Sequence, residues 1–304
     1  MPDIPRIIGN YSSGTKGALL FITAGVHGNE PAGVYALQKV FEVLEKEQPL
    51  INGRVVGVSG NKEALKKNVR YIDEDLNRTW TEENISSEKV DSHEKKEMFE
   101  IIKILRNYPE EDYDRRYFLD CHTTSSESEP YISVQDTGMN DEWAHYFPTY
   151  IIRGFSDIVQ GCIDHYESRI GLTGFVFEAG QHESQSSINN HEGMIWLALQ
   201  EACGLKLTDL KNIPHSTKAL ETKKEKRKTF EIKYRHGIED GDSFKMEPGF
   251  LNFQTIKKGE LLAYQNDQPI YSEWDAYIFM PLYQKQGNDG FFIVDEVPVK
   301  QIHS

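Results

Sequence analysis

The stretch Gly17-Ala18-Leu19-Leu20-Phe21-Ile22-Thr23-Ala24-Gly25-Val26-His27-Gly28-Asn29-Glu30 decides how the chain folds. Its first half is an apolar run of the length of one buried strand, too short to cross a bilayer. A turn containing glycine ends the run. Residues 32–47 then show apolar side chains at helical spacing, and 54–59 form a second β-rich run. Strand, helix and strand in that order predict an α/β architecture. Working outward, 116–121 and 173–179 read as further buried strands, and 93–107, 155–167 and 192–203 as helices. The alternation predicts a mostly parallel sheet flanked by helices.

The pattern changes after Leu210. The basic run Lys223-Lys224-Glu225-Lys226-Arg227-Lys228 predicts an exposed linker; it is too short and too poor in aromatic residues for a nucleic-acid patch. Short β-like runs follow at 229–234, 249–253, 261–264, 276–283 and 291–294, separated by turns such as Asn288-Asp289-Gly290. A chain of 304 residues accommodates two domains. We expect a larger α/β domain at 1–210 and a small all-β domain at 215–304.

Composition narrows the function. Hydrophobic residues make up 38% of the chain, with 15 Phe and 15 Tyr, which excludes a disordered acidic chain. A net charge of −14 argues against general affinity for nucleic acid or anionic membrane, so an anionic ligand needs a local positive site. Residues 73–114 hold 14 acidic and 6 basic side chains and read as solvated helix and loops. Cys121, Cys162 and Cys203 lack disulfide or zinc-ribbon spacing, and residues 1–10 have no signal-peptide core; a cytoplasmic protein is expected. A homo-oligomer is left open.

Four segments carry chemistry. His27 and Glu30, an H-x-x-E pair at a strand end, offer the nitrogen and carboxylate oxygen that suit zinc; a third protein ligand would leave the fourth position open. His122 in Asp120-Cys121-His122-Thr123-Thr124 supplies that ligand, with Asp120 or a backbone carbonyl available to orient the ring. Cys121 would point to the opposite strand face and reads as packing. Glu178, at the end of an apolar strand, reads as a general base that takes a proton from a metal-activated water and passes it to a leaving nitrogen, or as a salt-bridged Glu at a loop entrance. Between them, Arg78 beside Asn77 can grip a carboxylate and Arg70 can polarise a carbonyl, although Asp73, Glu74 and Asp75 are alternative partners for either arginine.

The combination HGNE at 27–30, RYIDEDLNR at 70–78, DCHTT at 120–124 and FEAG at 177–180 resembles the succinylglutamate desuccinylase/aspartoacylase family, a branch of the zinc carboxypeptidase clan. The resemblance spans most of the first 200 residues. It implies a zinc carboxypeptidase-like mixed sheet with a smaller C-terminal β domain, and one zinc ion per chain on His27, Glu30 and His122. It also implies Glu178 as acid/base, Arg70 as carbonyl polariser, and Asn77 with Arg78 as a clamp for a substrate carboxylate. The expected activity is deacylation of a small anionic N-acyl amino acid or related amine. A carboxypeptidase acting on a peptide C-terminus and a non-catalytic metal-binding regulator are the alternatives. With zinc, Glu30, Arg70, Arg78 and Glu178 counted, the expected site sums to +2. Arg169, Tyr283, His182 and His191 are further residues whose place relative to the pocket the sequence leaves open. His165 and the other histidines read as surface or packing.

Overall fold

The chain begins with strands β1 (Ile7–Tyr11) and β2 (Thr15–Ala24). In this computed structural model residues 4–125, 127–221, 228–283 and 288–298 are described. The basic run expected to be a linker lies outside them apart from Lys228. β2 is buried on both faces, with Leu20, Ile22 and Ala24 in one core and Leu19 and Phe21 in another. Burial on both sides is why it reads as an unbroken apolar run. Helix α1 (Ala32–Glu47) buries Val34, Leu37, Val40, Phe41 and Leu44 along one stripe, and ends at left-handed Gln48. It returns the chain to β3 (Asn52–Ser59), which is parallel to β2.

Helices α2 (Lys62–Lys67), α3 (Glu82–Ser87) and α4 (His93–Leu105) lead to β4 (Arg116–Thr124). There follow β5 (Tyr131–Val134), α5 (Asn140–Ala144), β6 (Tyr150–Arg153), α6 (Phe155–Ile158), α7 (Ile163–Arg169), β7 (Thr173–Gln181), α8 (Gln185–Cys203) and α9 (His215–Glu221). The remaining strands are β8 (Thr229–Gly237), β9 (Phe244–Met246), β10 (Gln254–Ile256), β11 (Leu261–Gln265), β12 (Gln268–Tyr271), β13 (Ala276–Phe279) and β14 (Asp289–Val297).

These strands form an 11-stranded sheet, β1-β3-β2-β4-β7-β5-β6-β8-β14-β13-β10, and a 3-stranded sheet, β12-β11-β9. The block β3-β2-β4-β7 is parallel; β1 joins it antiparallel, as does β5 on the other side. The fold is therefore a mixed α/β sheet with antiparallel C-terminal strands, as expected. α1 and α8 cover one face, and α4 and α7 the other. β8 pairs parallel with β6, so the C-terminal strands continue the main sheet while packing a core of their own around Ile256, Leu262, Ile278 and Phe291. Among the described residues no helix is long and apolar enough to cross a membrane.

Three local expectations need correction. The helix expected at 155–167 is two helices, α6 and α7, broken where Gly161 takes φ +78°. The strand expected at 249–253 is a turn, because Gly249 (φ 97°) and Phe253 (φ 64°) leave the extended region. The acidic stretch 73–114 is not uniformly solvated: Glu94 is fully buried. Its Oε1 accepts from Asn61 Nδ2 at 2.7 Å and the Ile72 N–H at 2.8 Å, and Oε2 from the Asp73 and Glu74 N–H groups at 3.1 and 3.3 Å.

One carboxylate thus ties α4 to the turn that leads into residues 75–78. Glu94→Gln keeps the volume but turns amide hydrogens towards those donors. It is expected to lower unfolding free energy by about 2–3 kcal/mol, read as a lower urea midpoint at unchanged slope. A midpoint equal to wild type would show that the buried carboxylate does not hold this turn.

Candidate active site and metal centre

Parallel strands β2, β4 and β7 lie side by side, with Ala24 opposite Cys121 and His122 opposite Glu178. Alternation sends Cys121 and Phe177 into the core beneath α1 and α8. Asp120, His122 and Glu178 share the other face. His27 and Glu30 follow the end of β2, so the four chemical segments meet where ligand sites of such sheets are built.

Glu30 is the hub of the first cluster. Its Oε1 lies 2.9 Å from His27 Nδ1, and its Oε2 lies 3.2 Å from His122 Nδ1 and accepts the Thr123 N–H at 2.8 Å. One donor atom from each of His27, Glu30 and His122 falls within 4.8 Å of the others, and all three residues are buried. The outer ring nitrogens face carboxylates: His27 Nε2 is 3.0 Å from Asp75 Oδ1, and His122 Nε2 is 2.8 Å from Asp120 Oδ2. Thr23 Oγ1 donates to the other Asp120 oxygen at 2.5 Å. Carboxylates in these places orient metal-binding imidazoles and leave both Nδ1 atoms facing inward. Two nitrogens and one carboxylate oxygen match a three-ligand zinc centre, so these residues fit the ion that the sequence resemblance implies.

The buried charges of this cluster compensate one another. Burial opposes ionisation of Glu30, yet His27 and His122 hold its carboxyl well below the usual range. Burial likewise opposes charge on His122, but Asp120 and Glu30 keep the imidazole well above its usual range. Arg70 donates through Nε and Nη2 to Asp75 Oδ2 at 3.1 and 2.8 Å, leaving Nη1 3.8 Å from Glu30 Oε1. Glu178 differs from the other acids. Its Oε2 is sealed from solvent and meets no hydrogen-bond donor among the described residues. Burial pushes its carboxyl up to about 8, with Glu30 and Asp120 adding and His122 and Arg70 opposing.

A cleft of about 490 Å³ is lined by His27, Glu30, Arg70, Asn77, Arg78, His122 and Glu178 together. Asn77 Oδ1 accepts the Ile163 N–H at 3.0 Å, leaving the Nδ2 amide as that side chain's donor. Arg78 Nη1 donates to the Asn77 carbonyl at 2.8 Å and lies 3.7 Å from Cys162 Sγ. Sequence reasoning missed Tyr131, a cleft-lining residue directly opposite Glu178 on β5, whose four-residue strand gives little periodic signal. It also missed Asp164, Asp240 and Asp289 on the cleft wall. Those three and Asp75 bring the wall to six carboxylates against two guanidinium groups. With a divalent ion the formal sum is −2, not +2.

The four residues left open fall in different places. His182 lines the cleft and lies 2.8 Å from Thr123 Oγ1 through Nδ1. His191 is fully buried against Phe177. Arg169 pairs with Glu82 at 3.5 Å, with its guanidinium over Tyr166. Tyr283 accepts the Phe250 N–H and donates to the Glu247 carbonyl, bracing a turn.

Fold and cluster together define an α/β protein with a His-Glu-His centre at the ends of parallel strands. Residues 16–184 match the succinylglutamate desuccinylase/aspartoacylase catalytic domain. The chain belongs to that family. It is 26% identical over 108 residues to a succinylglutamate desuccinylase of Pseudomonas paraeruginosa, covering 36% of this chain and 32% of that one. It is 27% identical over 166 residues to a probable aspartoacylase of Acaryochloris marina, covering 52% and 54%. The matched stretches therefore span about a third and about half of those relatives. The fold is also that of murine aminoacylase 3, with a TM-score of 0.65 at 18% identity, covering 93% of this chain and 96% of that one.

The break between α6 and α7 positions the residues around Arg78. The Gly161 carbonyl accepts the Trp80 N–H at 3.0 Å, and a Cβ on Gly161 would stand 2.3 Å from the Arg78 carbonyl oxygen. Gly14 has a similar φ of +85° with nothing within 4 Å. Gly161→Ala should therefore cost clearly more unfolding free energy than Gly14→Ala, the excess measuring the close approach beyond the roughly 1 kcal/mol expected of φ alone. Equal losses in paired denaturant titrations would disprove the contact.

Proposed function

We propose that this chain is a zinc-dependent deacylase that hydrolyses the amide bond of an N-acyl amino acid, with one zinc ion held by His27, Glu30 and His122. Glu178 is the observation that carries the reading: a half-buried carboxylate with one oxygen sealed from solvent and unpartnered, one strand from His122 and on the cleft wall. A purely structural metal centre needs no such group. The ion, when bound, supplies Lewis acidity towards water and the amide carbonyl.

The chain's own residues do the rest. Glu178 takes a proton from the attacking water and delivers it to the leaving nitrogen. Arg70, fixed by Asp75 through two nitrogens, offers Nη1 to the carbonyl oxygen as charge develops. Arg78 and the Asn77 amide hold the substrate carboxylate. Among the C-terminal segments, Phe279, Met280 and Leu282 act as a cap that lines the cleft, which favours a small substrate over the end of a peptide. The named activities of the two curated relatives support N-acyl amino acids as the class and leave the acyl group open.

Two variants test these roles. Glu178→Gln should lower kcat by about two to four orders of magnitude while zinc content stays at wild-type level. Amine release from N-acetyl, N-succinyl and longer N-acyl amino acids is the assay, and a wild-type rate at saturating zinc would overturn the mechanism. Arg78→Ala should lower kcat/KM by roughly tenfold to a hundredfold, the worth of a charge-assisted hydrogen bond, for substrates with a carboxylate on the amine portion. The matching N-acyl amine without that carboxylate should lose little; an equal loss for both would remove Arg78 from the clamp.

A further inference from the structure

A second cluster of ligand-type side chains lies on the wall of the same cleft, and the proposed reaction uses none of it. Cys162 precedes α7, and Asp164 and His165 lie in its first turn. One donor atom from each, a sulfur, a carboxylate oxygen and an imidazole nitrogen, falls within 4.8 Å of the others. All three line the cleft. Cys162 is 4% exposed and Asp164 7%, while His165 is half-buried. Asp164 Oδ2 accepts from Gln135 Nε2 at 2.6 Å, whereas its Oδ1, sealed from solvent, meets no hydrogen-bond donor among the described residues. An acid buried in this way costs free energy unless a donor or a cation meets it. Burial, with Asp164 beside it, pushes the Cys162 thiol well up, and Arg78 Nη1, 3.7 Å from Sγ, opposes that shift; a metal ion on the sulfur would itself displace the proton.

We propose that Cys162, Asp164 and His165 bind a second divalent metal ion of the zinc class, separate from the ion of His27, Glu30 and His122. Sulfur, oxygen and nitrogen donors are zinc's ordinary protein ligands, and three of them leave a fourth position for water or a ligand group. A thiolate in the set selects against magnesium and calcium, which take oxygen ligands. The carboxylate surplus on the cleft wall accommodates a second cation. The Arg78 contact to the sulfur becomes an outer hydrogen bond to a metal thiolate, of the kind that tunes such sites.

The test does not depend on the proposed reaction. The whole chain is stripped with a chelator and titrated with Co²⁺, followed by absorption spectroscopy and by metal analysis after desalting. A second equivalent should bind and bring a cobalt-thiolate charge-transfer band, which the His27, Glu30 and His122 centre lacks the sulfur to produce. Cys162→Ala should lose the band and one equivalent. His165→Ala, at a half-buried position where folding is less at risk, should weaken the second equivalent by about tenfold or more. His122→Ala should remove the other equivalent and keep the band. Saturation at one equivalent with no thiolate band, or a band that survives Cys162→Ala, would overturn the proposal.

Discussion

The parallel, level pairing of β2, β4 and β7 is the constraint from which the rest of the site follows. Parallel strands need crossover connections, and each crossover brings the next strand's carboxyl end back to the same edge of the sheet. His27 and Glu30 after β2, His122 near the end of β4 and Glu178 near the end of β7 are therefore neighbours despite being far apart in sequence. The register is demanding. A slip of one residue in β4 would exchange His122 for Cys121, putting a thiol in the cleft and an imidazole beneath α1. The apolar parity of the strand, with Leu119 and Cys121 in one core and Phe118 in the other, opposes that slip.

Gathering these groups forces several charges out of water, and the structure meets the cost unevenly. Glu30 faces two imidazoles and a backbone N–H; Asp120 faces a hydroxyl and an imidazole; Asp75 faces His27 and Arg70. Each of these acids is paired through groups that also orient the proposed metal ligands, so compensation and positioning are one arrangement. Glu178 alone among them keeps an oxygen without a partner, and burial holds its proton more tightly than usual. Unspent hydrogen-bonding capacity beside a cluster whose own acids are paired marks where chemistry has been given room.

Much of this was legible in the sequence, for a physical reason. Strands buried on both faces leave continuous apolar runs, and polar residues at the end of such a run stand out against them. His27, Glu30, His122 and Glu178 were visible on those grounds, and the cleft contains all four. The short strands β5 and β6 lack enough residues to show a period, so Tyr131 went unnoticed. A lone glycine within a helical pattern does not force a break, so the division at Gly161, which brings Cys162 and Asp164 to the cleft wall, could not be read. Glu94 was hidden among charges because its burial depends on where α4 meets the turn at 72–74. The C-terminal strands were recognisable one by one, but their continuation of the main sheet rests on the non-local pairing of β6 with β8.

Charge shows most plainly how position outweighs composition. The chain's −14 would turn anions away, and counting only the expected site residues gave a positive cleft. The complete wall adds Asp75, Asp164, Asp240 and Asp289, so the cleft is not a general trap for anions. On the proposed assignments, carboxylate recognition then rests on direction rather than field, through the planar fork of Arg78 and the amide of Asn77. A carboxylate that meets that fork squarely is held although the wall as a whole carries surplus negative charge.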